Sequence, residues 1–297
     1  MERRTAMWNT RLVELLTAPL FVPGNRPDRV VKAAARGARA IVIDLEDAVL
    51  PDRKADARQG TVQDLAERAP DVAYLVRVNA ASEPDVFDED LIALAEVLPS
   101  VDAVVLPKAT SADDVRALAD RLPGHVPIIP TIENALGVHQ AWAIAAAGPR
   151  VHSLLFGSVD LSANLGVTAT PDGTELATAR SLVVLACAAA GVASPLDGPY
   201  LNIDDPDGLR VATLAARRLG FGGKVVIHPD QLGPVTASFA PTAEEVGWAE
   251  GVLAAYDAAR ADGDGVVRTA DGTFVDVPVA EQARTILRVA AAAGVRS

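Results

Sequence analysis

Five apolar segments of this sequence each carry a charged residue at or near the carboxyl end. They are AIVIDLED (40–47), AYLVRVN (73–79), AVVLPK (103–108), PIIPTIE (127–133) and SLLFGSVD (153–160). Short apolar segments between helical patterns are typical of buried parallel strands. Because the carboxyl ends of such strands meet at one face of a barrel, the pattern predicts that side chains distant in sequence share one site.

Apolar segments alternate with helical patterns along most of the chain. The predicted strands are 19–24, 40–46, 73–79, 103–107, 127–132, 153–157, 192–197 and 224–229. Eight strand–helix units favour a (β/α)8 TIM barrel, a fold of the α/β class. A doubly wound open sheet is the alternative. Such a sheet more often carries a glycine-rich phosphate turn, and neither GxGxxG nor GxxxxGK[ST] occurs here.

The pattern changes after the eighth strand. We expect a barrel domain over 1–235, with a short N-terminal helix or arm, and a C-terminal extension over 236–297. The extension reads as a helix near 242–262, a hairpin with a turn at Asp271-Gly272, and a final helix near 279–294. It must cover the barrel or a neighbouring subunit. The basic N-terminus has a short apolar stretch broken by Glu14, which argues against a secretory signal.

Composition excludes some classes of function. The net charge of −12 and an aromatic content of 4% argue against nucleic-acid binding. No apolar segment reaches the length of a membrane span. Cys187 is the single cysteine, so no internal disulfide forms and a reducing cytoplasm fits.

Two carboxylates end the adjacent fifth and sixth strands, Glu133 and Asp160. Oxygen ligands of this kind suit Mg²⁺ or Mn²⁺, with open positions left for water and a ligand. The alternatives are solvated carboxylates, or charges that stabilise helix N-termini. Glu46 and Asp47, at the end of strand two, favour the metal interpretation because they add carboxylates to the same edge.

Two cations accompany these carboxylates. Arg77 ends strand three, and a guanidinium there suits a two-bond grip on a ligand carboxylate. A salt bridge to Glu46 or Asp47 is the alternative, and both can hold together. Lys108 has the same ambiguity, and for it we favour an electrostatic or structural role over a Schiff base.

The first strand–helix turn concentrates basic residues in an acidic chain: Arg26, Arg29, Lys32, Arg36 and Arg39. Such a cluster suits the phosphates of a large anionic ligand, although a solvated helix face explains part of it equally well. Arg26 is the best positioned. His228, at the end of strand eight, is a candidate general base or a structural histidine. Asp197 either lines the barrel mouth or is an ordinary loop carboxylate.

These motifs together resemble the citrate lyase β-subunit-like family of the HpcH/HpaI aldolase superfamily. The matching motifs are FVPGNRPDRVVKA, DLEDAVLPDRKADAR, VRVN, LPKATSADDV, IPTIENALGV, FGSVDLSANLG, LDGPYLNIDDPDGL, GFGGKVVIHPDQL and GTFVDVPVAEQAR. They occur in order from about residue 19 to near the end. The DLEDAV segment with its K-x-x-AR continuation, combined with GKVVIHPDQ, is the most specific of them.

The resemblance implies a Mg²⁺-dependent carbon–carbon lyase acting on a 3-hydroxyacyl-CoA thioester such as malyl-, citramalyl- or citryl-CoA. The products are an acyl-CoA and an oxo acid, formed by retro-Claisen cleavage. The resemblance also implies a homo-oligomer, a trimer or a hexamer. Spacing alone shows neither the acyl substituent nor the oligomeric state.

The family's functional residues carry over by motif. The resemblance implies Glu133 and Asp160 as Mg²⁺ ligands, Arg77 as the grip on the hydroxyl-carbon side of the substrate, Glu46 and Asp47 as groups that order metal waters and Arg77, Arg26 and Lys32 as CoA phosphate contacts, and Asn79 and Lys108 as further substrate-binding residues. Asp276 aligns with an acidic residue that related lyases insert into the neighbouring subunit's site, where it exchanges the α-carbon proton of the enolate.

Some features depart from the family pattern and leave the substrate open. Asn134 stands where a threonine is common, and Gly157-Ser158-Val159 precede Asp160 without the acidic neighbour of many members. The alternative functions are a citrate lyase β subunit working on an acyl-carrier-protein thioester, a thioesterase, and an aldolase on free 2-oxo acids. The last uses a histidine after strand two, where this chain reads LED.

Overall fold

A computed structural model describes residues 10–170, 173–269 and 272–295. The chain forms two compact units that divide after Thr236. The residues before Thr10, and the predicted turn residue Asp271, lie outside the described part of the chain.

The first unit is built on eight parallel strands that pair in sequence order. The strands are β1 (Leu20–Pro23), β2 (Ala40–Asp44), β3 (Ala73–Arg77), β4 (Ala103–Leu106), β5 (Ile128–Ile132), β6 (Leu155–Phe156), β7 (Leu196–Asp197) and β8 (Gly223–Lys224). A parallel bridge between Leu20 and Val226 joins the first strand to the segment after the last. The backbone N–H of Phe21 donates to the Val226 carbonyl at 2.9 Å. The sheet therefore closes, and the predicted (β/α)8 TIM-barrel fold is confirmed.

One helix precedes the first strand, and the other helices follow the strands. They are α1 (Thr10–Leu15), α2 (Pro27–Ala35), α3 (Lys54–Ala66), α4 (Pro84–Leu94), α5 (Ala112–Arg121), α6 (Ala135–Ala145), α7 (Ser158–Leu165), α8 (Ala177–Ala190), α9 (Pro206–Leu219) and α10 (Leu232–Phe239). Ser111 caps α5 as predicted, and its side chain accepts a hydrogen bond from the Asp114 N–H. Gly191 and Gly220 end α8 and α9 in the left-handed conformation.

Alternate residues of the strands fill the barrel interior. The core contains, from successive strands, Ala40, Val42, Ala73, Leu75, Ala103, Val105, Ile129, Leu155, Leu196 and Val225. Leu12, Leu15 and Leu16 belong to the same cluster, so α1 and its following residue close the amino end of the barrel. In β2, β3 and β5 the period-two pattern places the polar residues Asp44, Arg77 and Thr131 at the next inward positions, toward the carboxyl ends.

The sequence pattern did not predict α7 and α10. Gly157 is the N-cap of α7, which begins directly after the two-residue strand β6. A helix this short has no amphipathic period to detect, and the motif FGSVDLSANLG reads as a loop. The strand predicted at 224–229 is shorter than expected. It is observed as Gly223–Lys224, continued by a Val225 N–H that donates to the Asp197 carbonyl at 2.9 Å and by the Val226 bridge.

The second unit contains α11 (Ala243–Ala261), an antiparallel pair β9 (Val267–Arg268) and β10 (Phe274–Val275), and α12 (Val277–Ala293). Its own core includes Ala249, Val252, Tyr256, Val275, Ala280 and Ala283. Asp276 is the N-cap of α12, and its side chain accepts a hydrogen bond from the Val279 N–H at 3.3 Å. None of the described helices combines the length and the apolar character that crossing a membrane requires.

The acidic residue Asp64 is buried in α3, and its Oδ2 atom has no hydrogen-bond partner among the described residues. Burial, with a smaller contribution from Glu67, raises the pKa of Asp64 to about 6. The folded protein therefore keeps a proton that the unfolded chain releases above about pH 4, so this group lowers the free energy of unfolding as pH rises from about 4 to about 6.

We expect Asp64→Asn to be more stable than the parent chain by roughly 1–3 kcal/mol at pH 7, with little difference at about pH 3.5. Urea unfolding at the two pH values measures this difference. A gain of equal size at both would show that the charge of Asp64 is not its cause.

Candidate active site

An arginine held by two carboxylates lies at the carboxyl end of the barrel. Arg77 ends β3, and its Nε and Nη2 atoms donate to the two Asp44 oxygens at 2.7 and 2.6 Å. Its Nη1 atom lies 2.8 Å from Glu46 Oε2. The guanidinium also lies over the Phe21 ring, 5.1 Å from the centroid. All three charged side chains are at least 87% buried, since 13% of Arg77 and 2–3% of the acids are exposed.

Burial alone would lower the pKa of Arg77, but the Asp44 and Glu46 carboxylates raise it above its ordinary value. The arginine is therefore permanently charged and fixed in orientation. A guanidinium has five N–H donors, so these contacts leave N–H groups for a ligand carboxylate.

The sequence predicts a salt bridge from Arg77 to Glu46 or Asp47; the structure shows contacts with Glu46 and with Asp44, a partner that the sequence did not indicate. Asp44 is the last residue of β2 and the register partner of Arg77. It also accepts the backbone N–H of Glu46 at 2.9 Å, which fixes the turn that follows the strand. The signal was the period-two pattern, because Ala40, Val42 and Asp44 face the same side of the strand.

Lys108 links the ends of strands two, four and five. Its ammonium contacts Glu46 and lies 3.2 Å from Asp47 Oδ1. Its backbone has φ 53°, a left-handed conformation uncommon for a non-glycine residue. In that conformation the Lys108 N–H donates to Glu133 Oε1 at 2.6 Å. One residue thus neutralises the acids of strand two and orients the carboxylate after strand five.

Burial alone would lower the pKa of Lys108, but its contacts with Glu46 and Asp47 raise it above its ordinary value. A Schiff-base nucleophile needs a neutral amine. The environment of Lys108 therefore favours the electrostatic role.

The predicted metal pair flanks the same space. Glu133 is buried after β5, and Asp160 is half-buried in the first turn of α7. Burial raises the pKa of Glu133 to about 8, and the Glu46 and Asp160 charges add to the rise. A Cβ atom at Gly157 would lie 2.4 Å from Glu133 Cβ, so only glycine lets the end of β6 approach this carboxylate.

A cavity of about 750 Å³ opens at this end of the barrel. The residues named from the sequence that line it are Arg29, Lys32, Asp47, Arg77, Glu133, Asp160 and His228, and Asp44, Thr131 and Gly157 line it as well. A smaller space of about 410 Å³ shares Glu133 and Asp160 and includes Lys108 and Asn134. The carboxylate pair therefore lies in the wall between two spaces.

Three predicted site residues lie elsewhere in the described structure. Arg26 donates two hydrogen bonds to Asp28, at 2.9 and 3.1 Å, and is not among the lining residues of the cavity. Asn79 is buried and donates to Asp90 Oδ2 at 2.7 Å and to the Leu45 carbonyl at 3.0 Å. Asp276 belongs to the second unit.

Lys54 is a residue of the site region to which the sequence assigned no role. Its ammonium donates to the carbonyls of Leu45 and Glu46 at 2.6 and 2.8 Å, and to Asn79 Oδ1 at 2.7 Å. All three donors of the ammonium are used to hold the turn that carries Glu46 and Asp47. The K-x-x-AR pattern, which starts at Lys54, was the available signal.

The other two candidates have local partners. Asp197 is buried between Lys224, 2.6 Å away, and Arg180, 3.1 Å away. Burial would raise the pKa of Asp197, but these two cations hold it below its ordinary value, which indicates a structural carboxylate. His228 is half-buried at the cavity wall, and its Nδ1 atom accepts the Asp230 N–H at 3.3 Å.

Comparison with known proteins adds independent findings. A family model described as HpcH/HpaI aldolase/citrate lyase matches residues 18–229. A (3S)-malyl-CoA thioesterase of Cereibacter sphaeroides is 36% identical over 86% of this chain and 88% of its own length. An L-malyl-CoA/beta-methylmalyl-CoA lyase of the same species is 31% identical over 91% of this chain and 93% of its own.

A solved structure is also similar along nearly the whole chain. It is the protein CitE from Mycobacterium tuberculosis in complex with magnesium, acetoacetate and coenzyme A. Its TM-score is 0.79 at 35% identity, covering 93% of this chain and 98% of that one. The likeness extends well beyond the matched family region.

The buried pair of Arg77 and Asp44 allows a matched mutational test. Removing one partner of a buried ion pair leaves an uncompensated charge. We therefore expect Asp44→Asn to lower the free energy of unfolding by about 3 kcal/mol in urea titration. Asp28→Asn is the control, because Asp28 makes the same two-bond contact with Arg26 on an exposed surface. It should cause no measurable change. Equal effects of the two substitutions would contradict the importance of burial.

Proposed function

We propose that this chain, which belongs to the HpcH/HpaI aldolase/citrate lyase family as its motifs predicted, is a Mg²⁺-dependent carbon–carbon lyase. Its substrate is a 3-hydroxyacyl-CoA thioester of the malyl, citramalyl or citryl type, and its products are an acyl-CoA and an oxo acid. The observation that carries the proposal is one cavity lined by a carboxylate-bound arginine and by two carboxylates, Glu133 after β5 and Asp160 in the first turn of α7.

The residues present suit a magnesium ion. Glu133 and Asp160 offer oxygen donors, and their mutual repulsion in a buried setting favours a bound cation. In the part of the chain described, no cluster of three or more His, Cys, Asp or Glu side chains forms a metal site. Two protein ligands leave positions for water and substrate, and the similar CitE structure contains magnesium. When bound, Mg²⁺ supplies Lewis-acid polarisation of a substrate oxygen. Mn²⁺ has the same ligand preference.

Arg77 binds the carboxylate of the oxo-acid half in this proposal. The Asp44 and Glu46 carboxylates bind the nitrogen atoms of its guanidinium group, so the group does not reorient during the reaction. A fixed positive charge stabilises negative charge that develops on the substrate beside it. Lys108, Lys54 and Asp47 keep the turn after strand two in place around that arginine.

The proposed reaction is a retro-Claisen cleavage. The hydroxyl proton passes to water in the cavity, and the hydroxyl carbon becomes the carbonyl carbon of the oxo acid. The bond from that carbon to the thioester α-carbon breaks, and its electrons pass to the thioester enolate. The α-carbon then takes up a proton to give the acyl-CoA. For that proton we propose Asp276 of a neighbouring subunit, as the family motif implies, which makes the working form a homo-oligomer, a trimer or a hexamer. Asp276 is the N-cap residue of α12, and this position fixes the conformation of its backbone.

The nucleotide end of CoA has its counterpart in the basic helix after strand one. Lys32 and Arg29 line the cavity, and both suit phosphate groups. Arg26 joins them only by exchanging Asp28 for a phosphate. We also propose the cytoplasm as the compartment, since the single cysteine of the sequence allows no disulfide within the chain.

Thioester hydrolysis is the second candidate, because the thioesterase relative is 36% identical to this chain. The two reactions use the same substrate and differ in products. Incubation with Mg²⁺ and malyl-, citramalyl- or citryl-CoA, followed by mass spectrometry, separates them. We expect an acyl-CoA and an oxo acid, with loss of turnover in EDTA. Free CoA with an intact hydroxy acid would support hydrolysis instead. Turnover only with an acyl-carrier-protein thioester would support a citrate lyase subunit.

The carboxylate pair provides a direct mutational test. We expect Glu133→Gln to lower kcat/KM by about 10²- to 10³-fold and to raise the Mg²⁺ concentration that gives half-maximal rate. Glu96→Gln is the control, because Glu96 is exposed at the surface of the barrel unit. Steady-state kinetics across a Mg²⁺ titration measure both effects. An unchanged Mg²⁺ requirement in Glu133→Gln would remove this residue from the metal site.

A further inference from the structure

A buried hydroxyl on the cavity wall lacks a hydrogen-bond partner. In the described residues, buried side-chain atoms without such a partner are Glu46 Oε2, Asp64 Oδ2 and Thr131 Oγ1. The first of these faces Arg77 Nη1 at 2.8 Å, and the second lies in α3. Thr131 is different because its hydroxyl is neutral and the residue lines the 750 Å³ cavity.

The position of Thr131 follows from strand geometry. In β5, Ile129 belongs to the barrel core, Thr131 comes next on the same side, and Glu133 follows at the mouth. Residues two apart in a strand are about 7 Å apart, so Thr131 lies one level below the candidate metal ligand. Its register partner is Leu155, an apolar residue that lines the same cavity.

An unpaired hydroxyl in such surroundings is unfavourable. Phe21, Leu155 and Val225 also line the cavity and offer no hydrogen-bonding side chain there. Leaving a buried hydroxyl unpaired costs on the order of 1–3 kcal/mol, whereas valine has the same shape without that cost. The ligand-free protein gains nothing from this hydroxyl, so a bound molecule is the natural partner.

We propose that Thr131 Oγ1 is a substrate-contacting group that hydrogen-bonds an oxygen of the oxo-acid half of the substrate. The inference rests on the proposed function. The bulky CoA half belongs toward the exposed cations, because 73% of the Lys32 side chain is exposed. The small oxo-acid half then lies deeper, between Arg77, Glu133 and Thr131. Arg77 is already balanced by two carboxylates, and Thr131 adds a directional contact without adding charge.

The test compares Thr131→Val and Thr131→Ser. We measure the Tm without ligand, and the Kd of glyoxylate, pyruvate and oxaloacetate by calorimetry in saturating Mg²⁺. We expect Thr131→Val to keep or raise the Tm and to weaken binding of the preferred oxo acid by about 10- to 100-fold. Thr131→Ser restores the hydroxyl and should bind within about threefold of the parent chain.

Thr213→Val is the matched control. Thr213 is equally buried, but its hydroxyl donates to the Leu209 carbonyl at 2.7 Å. This variant should lower the Tm and leave the oxo-acid Kd unchanged. The opposite pattern in the two valine variants separates a ligand-binding hydroxyl from a structural one.

Two results would overturn the inference alone. One is an unchanged oxo-acid Kd in Thr131→Val while the parent chain binds the acid and cleaves the thioester. The other is a lower Tm in Thr131→Val, which would show that the hydroxyl is already bonded without ligand, for example to a buried water. Failure of the parent chain to bind any oxo acid would overturn the inference and the proposed function together.

Discussion

The buried contact of Arg77 with Asp44 and Glu46 is the interaction on which the carboxyl end of this barrel depends. An arginine inside a barrel is tolerated only when carboxylates compensate it, and removing one partner leaves a costly charge. Here the partners come from the neighbouring strand, so pairing of the backbone and pairing of the charges fix the same register. Stability and the geometry of the candidate site therefore have one origin.

The charges around this contact do not balance. Two cations, Arg77 and Lys108, face the carboxylates of strand two and the pair formed by Glu133 and Asp160. The excess is negative and partly buried, and it adds to the effect of burial, which is the main cause of the raised pKa of Glu133. An excess of buried carboxylate charge favours binding of a divalent cation. The electrostatics and the family's chemistry thus point the same way.

The sequence predicted the barrel and the strand-end positions because both follow from short-range periodicity. The sequence did not predict which side chains contact each other. Arg26 pairs with Asp28, two residues away, and Asn79 hydrogen-bonds to Asp90, eleven residues away. Such contacts depend on side-chain rotamers and on the placement of the helices. Asp44 was not predicted as a site residue because it lies inside the apolar segment 40–47, whereas Glu46 and Asp47 lie at its carboxyl end. The unpaired Thr131 hydroxyl could be recognised only with its surroundings in three dimensions.

Residues that follow separate strands thus form one proposed metal-dependent site around Arg77. Crystals grown with Mn²⁺ in place of Mg²⁺ test it most directly, through the anomalous signal of the metal. We expect one strong peak that contacts both Glu133 and Asp160, and its loss in Glu133→Gln crystals. A peak on other residues, or none at saturating Mn²⁺, would show that Glu133 and Asp160 do not bind the metal.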